Sequence, residues 1–249
     1  MQFANGTTVK FSDNFDHYLP MIPIVKSGLQ VLNFSPLIYG FNVTDVKLSG
    51  KAVLDGSGQK WWTFFNQLRE EHSKTGHWNK SSKWTKEFLF KNALLLSKHH
   101  SFSEPGFYRP AFFNLIYSSH IIVSELTFIN SPWFTVAPYR SEYVTIDHVT
   151  VKNPSNAPNT DGIHPEACHH VVISNCFVST GDDGIVITSE TDKNVSKRKL
   201  KQCFNVINNT FMLTDKCQIL LGEHNSQSLH CTFRTWRNRH WKCYIWRRS

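Results

Sequence analysis

Three aspartates stand in two glycine-flanked clusters in the second half of the chain. Asp161 lies in the stretch TDG, and Asp182 and Asp183 lie in the stretch GDDG further along the chain. Both clusters adjoin runs such as HHVVISNCFVS and GIVITSE, whose β-branched and apolar residues are typical of buried strands. The pattern therefore places acidic side chains beside successive strands.

Carboxylates brought together in this way have the chemistry to hydrolyse a glycosidic bond. Three acids in one groove repel, so one keeps its proton to a higher pH while the others stay ionised. Hydrolysis needs both forms, an acid for the leaving oxygen and a base for water. For Asp182 and Asp183 to share a site the chain must bend, and Gly181 and Gly184 permit a bend.

Two other interpretations of these residues stay open. Aspartate and glycine are common turn formers, and TDG or GDD alone carries little information. His164 and Glu166 lie near Asp161, and oxygen ligands from an aspartate cluster can hold calcium. The occurrence of both clusters, at the spacing of one strand repeat, favours catalysis over either alternative.

A repeated pattern predicts how the acids are positioned. Three segments carry apolar residues at i, i+2, i+5 and i+7, and they begin at positions 121, 144 and 171, with a weaker fourth at 204. Alternation by two indicates a strand, and the jump of three indicates a bend. The segments are Ile121-Val123-Leu126-Phe128, Val144-Ile146-Val149-Val151, Val171-Ile173-Cys176-Val178 and Phe204-Val206-Asn209-Phe211.

Strand-rich units of this length predict an all-β solenoid, a parallel β-helix in which each coil stacks on the last. The pattern of a leucine-rich repeat is absent, and no Asn-Gly or Asp-Gly joins two alternating strands as a sandwich hairpin would. In a β-helix, residues one coil apart lie above one another. Asp161 is therefore expected beside Asp182 and Asp183.

The domain prediction has two parts. We expect a β-helix over residues 1–222, with an aromatic and charged excursion at about 61–108, and an atypical basic tail over 223–249. Trp61, Trp62, Trp78 and Trp84 lie in the excursion, and we interpret them as packing it onto the solenoid rather than as sugar platforms.

Charge and composition limit the partners. The formal net charge is +8, but residues 225–249 carry six basic groups and no acid, so the rest holds 21 basic against 19 acidic residues. A nearly neutral body argues against nucleic-acid binding. No apolar run approaches the roughly 18 residues that span a membrane. We expect a monomer.

Processing and redox features are compatible with secretion. Six N-x-S/T sequons begin at Asn5, Asn33, Asn42, Asn79, Asn194 and Asn208, although sequons also arise by chance. The first residues form no signal peptide, so we expect an extracellular protein whose leader is missing from this chain. The six cysteines show no zinc-knuckle spacing, and Cys168 and Cys176 are either bridged or buried.

Several motifs together resemble one family. NTDG (159–162) followed by STGDDGIVITS (179–189) is similar to glycoside hydrolase family 28, the polygalacturonases and related pectin hydrolases. Upstream segments also resemble family coils, and the likeness extends over about residues 10–222. They are FSDNFDHYLP (11–20), SPLIYGFNVTDVKLSGKAVLDGSGQKWW (35–62) and RPAFFNLIYSSHIIVSELTFINSPWFTV (109–136).

The resemblance implies a right-handed parallel β-helix that is incomplete at both ends, and an inverting hydrolysis of α-1,4 galacturonosyl bonds without metal or cofactor. The substrate would be pectin or a related acidic polysaccharide of the cell wall. Asp182 matches the family's general acid, and Asp161 and Asp183 match the acids that activate water. Asn159 matches a residue that helps to hold the site, and His164 and Lys216 are further candidates for substrate binding.

The sequence departs from the family after GDDG. Asp215-Lys216-Cys217 aligns with the family's Gly-His-Gly, so Lys216 takes the place of the histidine that supports the acid, and no Arg-Ile-Lys motif is found. A lysine lowers the pKa of a neighbouring acid, which is the wrong direction for a proton donor. The basic tail is interpreted as a natural replacement or a shifted reading frame. A non-catalytic glycan-binding solenoid and a purely structural solenoid remain alternatives.

Overall fold

Three parallel sheets form the walls of the molecule. The computed structural model describes residues 1–26, 29–98 and 108–188, and the backbone alone of four later strands. Within these residues the chain runs from wall 1 to wall 2 to wall 3 and then returns to wall 1, one coil higher. Such a path is a parallel β-helix, which is right-handed like the parallel crossovers of other proteins.

Each wall stacks equivalent strands of successive coils. Wall 3 contains β1 (Thr8–Lys10), β6 (Val53–Asp55), β9 (Thr127–Ile129), β11 (Thr150–Lys152) and β13 (Phe177–Ser179). Wall 1 contains β4 (Ile38–Phe41) and β7 (Phe113–Ile116), and single bridges continue it through residues 136–139, 163–166 and 185–188. Wall 2 contains β5 (Thr44–Ser49), β8 (Ser119–Ser124), β10 (Glu142–Asp147) and β12 (His169–Ser174).

The strand register follows the sequence repeat. Val144 pairs with Ile121 on one side and Val171 on the other, and Val151 pairs in the same way with Phe128 and Val178. Both steps of the repeat, although unequal in length, are therefore single coils. The repeat positions point inward, and most are buried in one continuous apolar core. The predicted fold class is confirmed.

The jump of three residues in the repeat is the corner between walls 2 and 3. Glu125, His148 and Asn175 occupy equivalent corner positions, and all three have left-handed backbone angles, with φ of 58°, 52° and 52°. A left-handed residue reverses the in–out alternation over a short distance and turns the chain sharply. The apolar residues on both sides of the corner can then face the same core.

An N-terminal hairpin and three helices cover one side of the walls. The hairpin is β2 (Ile22–Lys26) with β3 (Leu29–Asn33), preceded by a 3-10 helix at Phe15–Tyr18. The helices are α1 (Gln59–Thr75), α2 (Lys83–Lys91) and α3 (Ala93–Lys98). Ser82 caps α2 by accepting a hydrogen bond from the Thr85 amide, and Gly76 ends α1 with a left-handed φ of 72°.

The tryptophans of this segment pack against protein. Trp61 and Trp62 are buried, Trp61 in a cluster with Phe15 and Phe34, and Trp62 with its indole N–H donating to the Ser131 carbonyl at 2.9 Å. Trp78 stacks on His72, and Trp84 donates to Asp16. The interpretation of these four side chains as packing residues agrees with this arrangement.

The fourth copy of the repeat differs from the expectation. β14 (Cys203–Ile207) and β15 (Thr210–Thr214) form an antiparallel hairpin, and β15 pairs antiparallel with β12. β14 and β15 therefore do not add a parallel coil, because they run in opposite directions. Further on, β16 (His230–Trp236) and β17 (His240–Trp246) form a second antiparallel hairpin.

Cys168 and Cys176 are separate thiols rather than a disulfide. Each lies against backbone carbonyls, and burial raises the pKa of Cys168 to about 12 and that of Cys176 to about 11. Both therefore act as small core residues. Among the described residues, no helix has the length and apolar character of a membrane span.

Candidate active site

The two acidic clusters meet where the chain passes from wall 3 to wall 1. The Gly162 amide donates to the Asp183 carbonyl at 3.0 Å, and the Ile163 amide donates to the Gly184 carbonyl at 3.0 Å. These bonds join neighbouring coils directly at the acids. Asp161 also bonds to the coil below, because its carbonyl accepts from the Thr135 amide at 2.8 Å.

The register places Asp183, rather than Asp182, level with Asp161. Ile163 forms a bridge with Ile185, so positions 161 and 183 are equivalent on neighbouring coils. Stacked parallel strands lie about 4.8 Å apart, and this spacing separates the backbones of Asp161 and Asp183. The two clusters are therefore neighbours, and Asp183 is the residue that lies one coil step from Asp161.

Two glycines of the clusters are required by the close approach of the coils. A Cβ on Gly162 would lie 2.5 Å from the Gly184 carbonyl oxygen, and a Cβ on Gly181 would lie 2.5 Å from the Pro154 carbonyl oxygen. Real side chains do not tolerate such contacts. These glycines do not have left-handed φ angles, so their role is to admit the neighbouring coil.

Asn159 connects the coil of Asp161 to Asp182. Its amide Nδ2 donates to Asp182 Oδ2 at 3.3 Å, while Asp182 Oδ1 accepts from the Asp183 amide at 3.0 Å. Both carboxylate oxygens of Asp182 are thus held by hydrogen bonds, although the side chain is exposed to solvent. An exposed carboxyl group held in one orientation can reach a ligand.

Arg109 holds Asn159 from below and was not among the predicted site residues. It is 4% exposed, and its guanidinium donates to Asn159 Oδ1 at 2.8 Å and to the carbonyls of Pro132 and Pro158 at 2.9 and 2.6 Å. The guanidinium also lies 4.0 Å from the ring centroid of Phe65 on α1. An arginine set in the apolar run FYRPAFF is the sequence feature that could have indicated this role.

The Arg109 contact fixes which way the Asn159 amide points. An amide presents an acceptor oxygen on one side and a donor nitrogen on the other. Because the oxygen accepts from Arg109, the nitrogen faces Asp182. Arg109, Asn159 and Asp182 therefore form one chain of hydrogen bonds from the interior to the surface.

His164 is buried against Asp161. Its Nδ1 lies 3.0 Å from Asp161 Oδ2, its Nε2 lies 3.3 Å from the Thr188 hydroxyl, and its ring packs against Phe134. Asp161 is 6% exposed and His164 7% exposed. When Nδ1 donates to the Asp161 carboxylate, Nε2 is free to accept a hydrogen bond from the Thr188 hydroxyl, and this pair of contacts holds the Asp161 carboxylate in place.

Buried polar side chains support the turn from inside the solenoid. Asn153 Nδ2 donates to the Thr135 hydroxyl at 2.9 Å and to the Thr160 carbonyl at 3.2 Å, and Asn153 Oδ1 accepts from the Ser131 amide. The Thr160 hydroxyl donates to the Ala157 carbonyl at 2.9 Å. These side chains provide hydrogen-bond partners for the buried backbone groups of the bend beneath the three aspartates.

The structure thus brings together Asp161, Asp182, Asp183, Asn159 and His164. Lys216 lies outside the described residues, and its predicted contact with substrate stays a prediction. Within the described part of the chain, no three or more His, Cys, Asp or Glu side chains are grouped so that they could hold a metal ion.

Fold and site together define a parallel β-helix with three clustered aspartates at the edge of one wall, and the chain has relatives among known proteins. Residues 95–205 match the model of glycosyl hydrolases family 28. A probable polygalacturonase of Vitis vinifera is 32% identical over 161 residues, which are 64% of this chain and 26% of that protein. A polygalacturonase of Chamaecyparis obtusa is 31% identical over 145 residues, 58% of this chain and 23% of that protein.

Solved structures extend the comparison. The exopolygalacturonase of Thermotoga maritima superposes with a TM-score of 0.60 and 28% identity, over 79% of this chain and 44% of that one. The polygalacturonase of Erwinia carotovora shares the fold, with a TM-score of 0.52 and 21% identity over 76% of this chain and 44% of that one. The chain spans about a quarter of the length of the two curated relatives. The matched residues, which include the three aspartates, are similar to glycosyl hydrolases family 28.

Proposed function

We propose that this site hydrolyses α-1,4 galacturonosyl bonds of pectin or a related acidic polysaccharide, with inversion at the anomeric carbon. Asp182 is the general acid, and Asp161 and Asp183 activate the attacking water. The polygalacturonases among its relatives support the substrate class. Inverting hydrolases separate the two carboxyl groups by about 6.5–9.5 Å to make room for water.

The observation that carries the proposal is the pairing of the two acidic clusters across one coil step. The backbone bond from Gly162 to Asp183 and the side-chain bond from Asn159 to Asp182 both link the same two coils. Asp182 is exposed, as a donor to the leaving oxygen must be, while Asp161 is buried beside His164. These different environments suit different roles.

His164 and Lys216 complete the proposal. We assign His164 a positioning role through Asp161, because its ring contacts Asp161 and is almost fully buried. Lys216 remains our candidate for contact with a substrate carboxylate, since a fixed positive charge attracts an anionic polymer. We also propose that the protein acts outside the cell as a monomer.

The decisive experiment compares Asp182→Asn, Asp161→Asn and Asp183→Asn with the unmodified chain on polygalacturonate. Release of reducing ends should fall by about 10²–10⁴-fold in each variant, because a carboxyl group that moves or activates a proton is lost. Asp45→Asn is the matched control, since Asp45 is exposed on wall 2 and its φ of 57° suits asparagine. Unchanged turnover in Asp182→Asn would refute the assignment of the acid.

The second candidate is a solenoid that binds such glycans without cutting them. Lys216 at the position of the family's histidine favours it. The same assay separates the two functions when binding of galacturonate oligomers is measured in parallel by calorimetry. Binding without any new reducing ends would support the second candidate, and proton NMR of the first product would test inversion.

A further inference from the structure

The N-x-S/T sequons differ in whether their asparagine is available. Asn5, Asn33, Asn42 and Asn79 lie in the described residues, and Asn194 and Asn208 lie outside them. Asn33 is fully buried. Its side-chain Nδ2 donates to the Tyr108 carbonyl at 2.9 Å, and its Oδ1 accepts from the Tyr108 amide at 3.0 Å. A glycan on Asn33 would remove this pairing and would not fit inside the fold.

Asn79 is also engaged by the protein. Its Nδ2 donates to both carboxylate oxygens of Glu71, at 3.0 and 2.9 Å, and its Oδ1 accepts from the Ser81 amide. The preceding ring, Trp78, is stacked on His72 with centroids 4.0 Å apart. A sugar on Asn79 would compete with these contacts.

Asn42, unlike Asn33 and Asn79, has an exposed side chain that no other described residue engages. It is exposed at the corner between walls 1 and 2, and its side chain makes no hydrogen bond to the part of the chain that the structure describes. Its backbone is fixed, because the Asn42 amide donates to Ile116 and the Val43 amide donates to the Ser118 hydroxyl. The φ of 53° turns the side chain out of the sheet alternation at this corner.

An exposed aromatic ring directly precedes this asparagine. Phe41 is 49% exposed and Tyr117, on the next coil, is 40% exposed, and their ring centroids lie 5.6 Å apart. Phe41 is the last residue of β4 and is exposed, whereas the three residues before it are half-buried. The C–H face of a pyranose is an apolar surface that can cover such a ring and remove it from water.

We propose that Asn42 is an N-glycosylation site, and that the first N-acetylglucosamine packs on Phe41. The donor is an oligosaccharide linked to a lipid diphosphate, as used in the secretory pathway. The Asn42 amide nitrogen forms a bond to the anomeric carbon, the bond from that carbon to the diphosphate oxygen breaks, and the amide loses one proton. Thr44 supplies the hydroxyl of the sequon and is exposed.

The glycan would lie away from the acids. Asp161 and Asp183 precede the wall 1 segments of their coils, whereas Asn42 follows the wall 1 strand of its own coil. A strand of four residues separates these two corners by about 13 Å along each coil. The modification therefore does not depend on the proposed hydrolysis.

Occupancy is tested on the full chain, secreted from a eukaryotic host behind a cleavable leader. Peptides of the secreted protein are treated with peptide N-glycosidase in heavy-oxygen water. The enzyme removes each glycan and leaves the oxygen label at the residue that carried it. We expect the label at Asn42 and none at Asn33. An unlabelled Asn42 in the secreted protein would overturn the site, and so would labelled Asn33 in folded protein.

Packing on the ring is tested by a cycle of Phe41→Ala, Asn42→Gln and the double variant. The glycan should raise Tm by about 2 °C when Phe41 is present and by much less when it is replaced by alanine. Trimming the glycan to one sugar should keep the gain. Asn5→Gln is the control, because Asn5 is exposed without an exposed ring next to it. An equal gain with and without the Phe41 ring would refute packing on the ring.

Discussion

At the scale of single residues, the buried Arg109 orients the exposed Asp182 through Asn159. Arg109 is buried, so its charge must be compensated by the oxygens around it. Those oxygens belong to Pro132, Pro158 and Asn159, which lie on two successive coils. The need to satisfy one buried cation therefore fixes the geometry of the Asn159–Asp182 pair.

Replacing Arg109 by lysine should reduce turnover on polygalacturonate by about 10–100-fold with little change in KM. A lysine keeps the charge but cannot donate to three oxygens in a fixed plane, so Asn159 is free to rotate and Asp182 loses its alignment. The steady-state kinetics of the purified variant give kcat and KM separately.

Arg69→Lys is the matched control for that variant. Arg69 contacts the same Phe65 ring, at 5.7 Å, but is exposed to solvent. If Arg109 acts through Asn159, then adding Arg109→Lys to Asn159→Ala should reduce kcat little further. Fully additive losses would contradict a role through Asn159.

Asp147, the last residue of β10, should make stability depend on pH. Hydrogen bonds from Ser174, which contributes most, and from His148 and Asn175 lower its pKa from 3.8 to about 2, although burial opposes them. A lowered folded-state pKa means that the contribution is complete above the unfolded value, near 4, and is lost as the pH falls towards 2. Urea unfolding from pH 5 to 2 should show Asp147→Asn converging with the unmodified chain.

The pH dependence of Asp147→Asn is compared with that of a control variant. Asp147 is half-buried, whereas Asp45 is exposed on the same wall, so Asp45→Asn serves as the comparison. A gap for Asp147→Asn that widens on acidification would contradict the argument.

At the scale of strands and turns, neighbouring coils approach each other closely at the acidic clusters. The glycines of TDG and GDDG look like turn residues in the sequence, but Gly162 and Gly181 are needed because another coil lies against them. The bend that these motifs require is therefore a consequence of stacking as well as of local conformation. Gly162 permits the hydrogen-bonded spacing of the coils that separates Asp161 from Asp183.

Gly162→Ala should destabilise the protein by about 1–3 kcal/mol, because the added methyl group meets the Gly184 carbonyl and the Val178 side chain. Gly184→Ala is the control, since the nearest atom to its Cβ would be Val178 Cγ1 at 3.8 Å. It should change stability by less than about 0.5 kcal/mol. Urea unfolding of both variants measures the difference, and equal effects would contradict the close-packing argument.

At the scale of the whole molecule, the helical segment is joined to the solenoid through aromatic side chains. Trp61 stacks on Phe15 with centroids 3.6 Å apart and meets Phe34 edge to face at 5.1 Å. On the same helix, Trp62 bonds to Ser131 and Phe65 lies under Arg109. The helices are thus part of the support of the acidic site.

Trp61→Ala should cost about 3–5 kcal/mol of the free energy of unfolding, because a fully buried ring leaves a cavity. Phe90→Ala, which removes a ring that is 84% exposed on the neighbouring helix, should be nearly neutral. Thermal unfolding followed by tryptophan fluorescence and circular dichroism provides the comparison. A small effect of Trp61→Ala would mean that the cluster of Trp61, Phe15 and Phe34 does not hold α1 in place.

The sequence alone determined the coil and the approximate place of the acids, because inward positions of a stacked strand must be apolar in every coil. The sequence spacing from Val144 to Val171 and from Val151 to Val178 predicted which residues pair within walls 2 and 3 and where the corner between these walls lies. Only the tertiary structure decided that Asp183 lies level with Asp161, since this depends on how many residues each turn absorbs. It also brought Arg109 to Asn159, far along the chain, and left Asn42 exposed while burying Asn33. Such contacts arise from packing between coils, which no local pattern records.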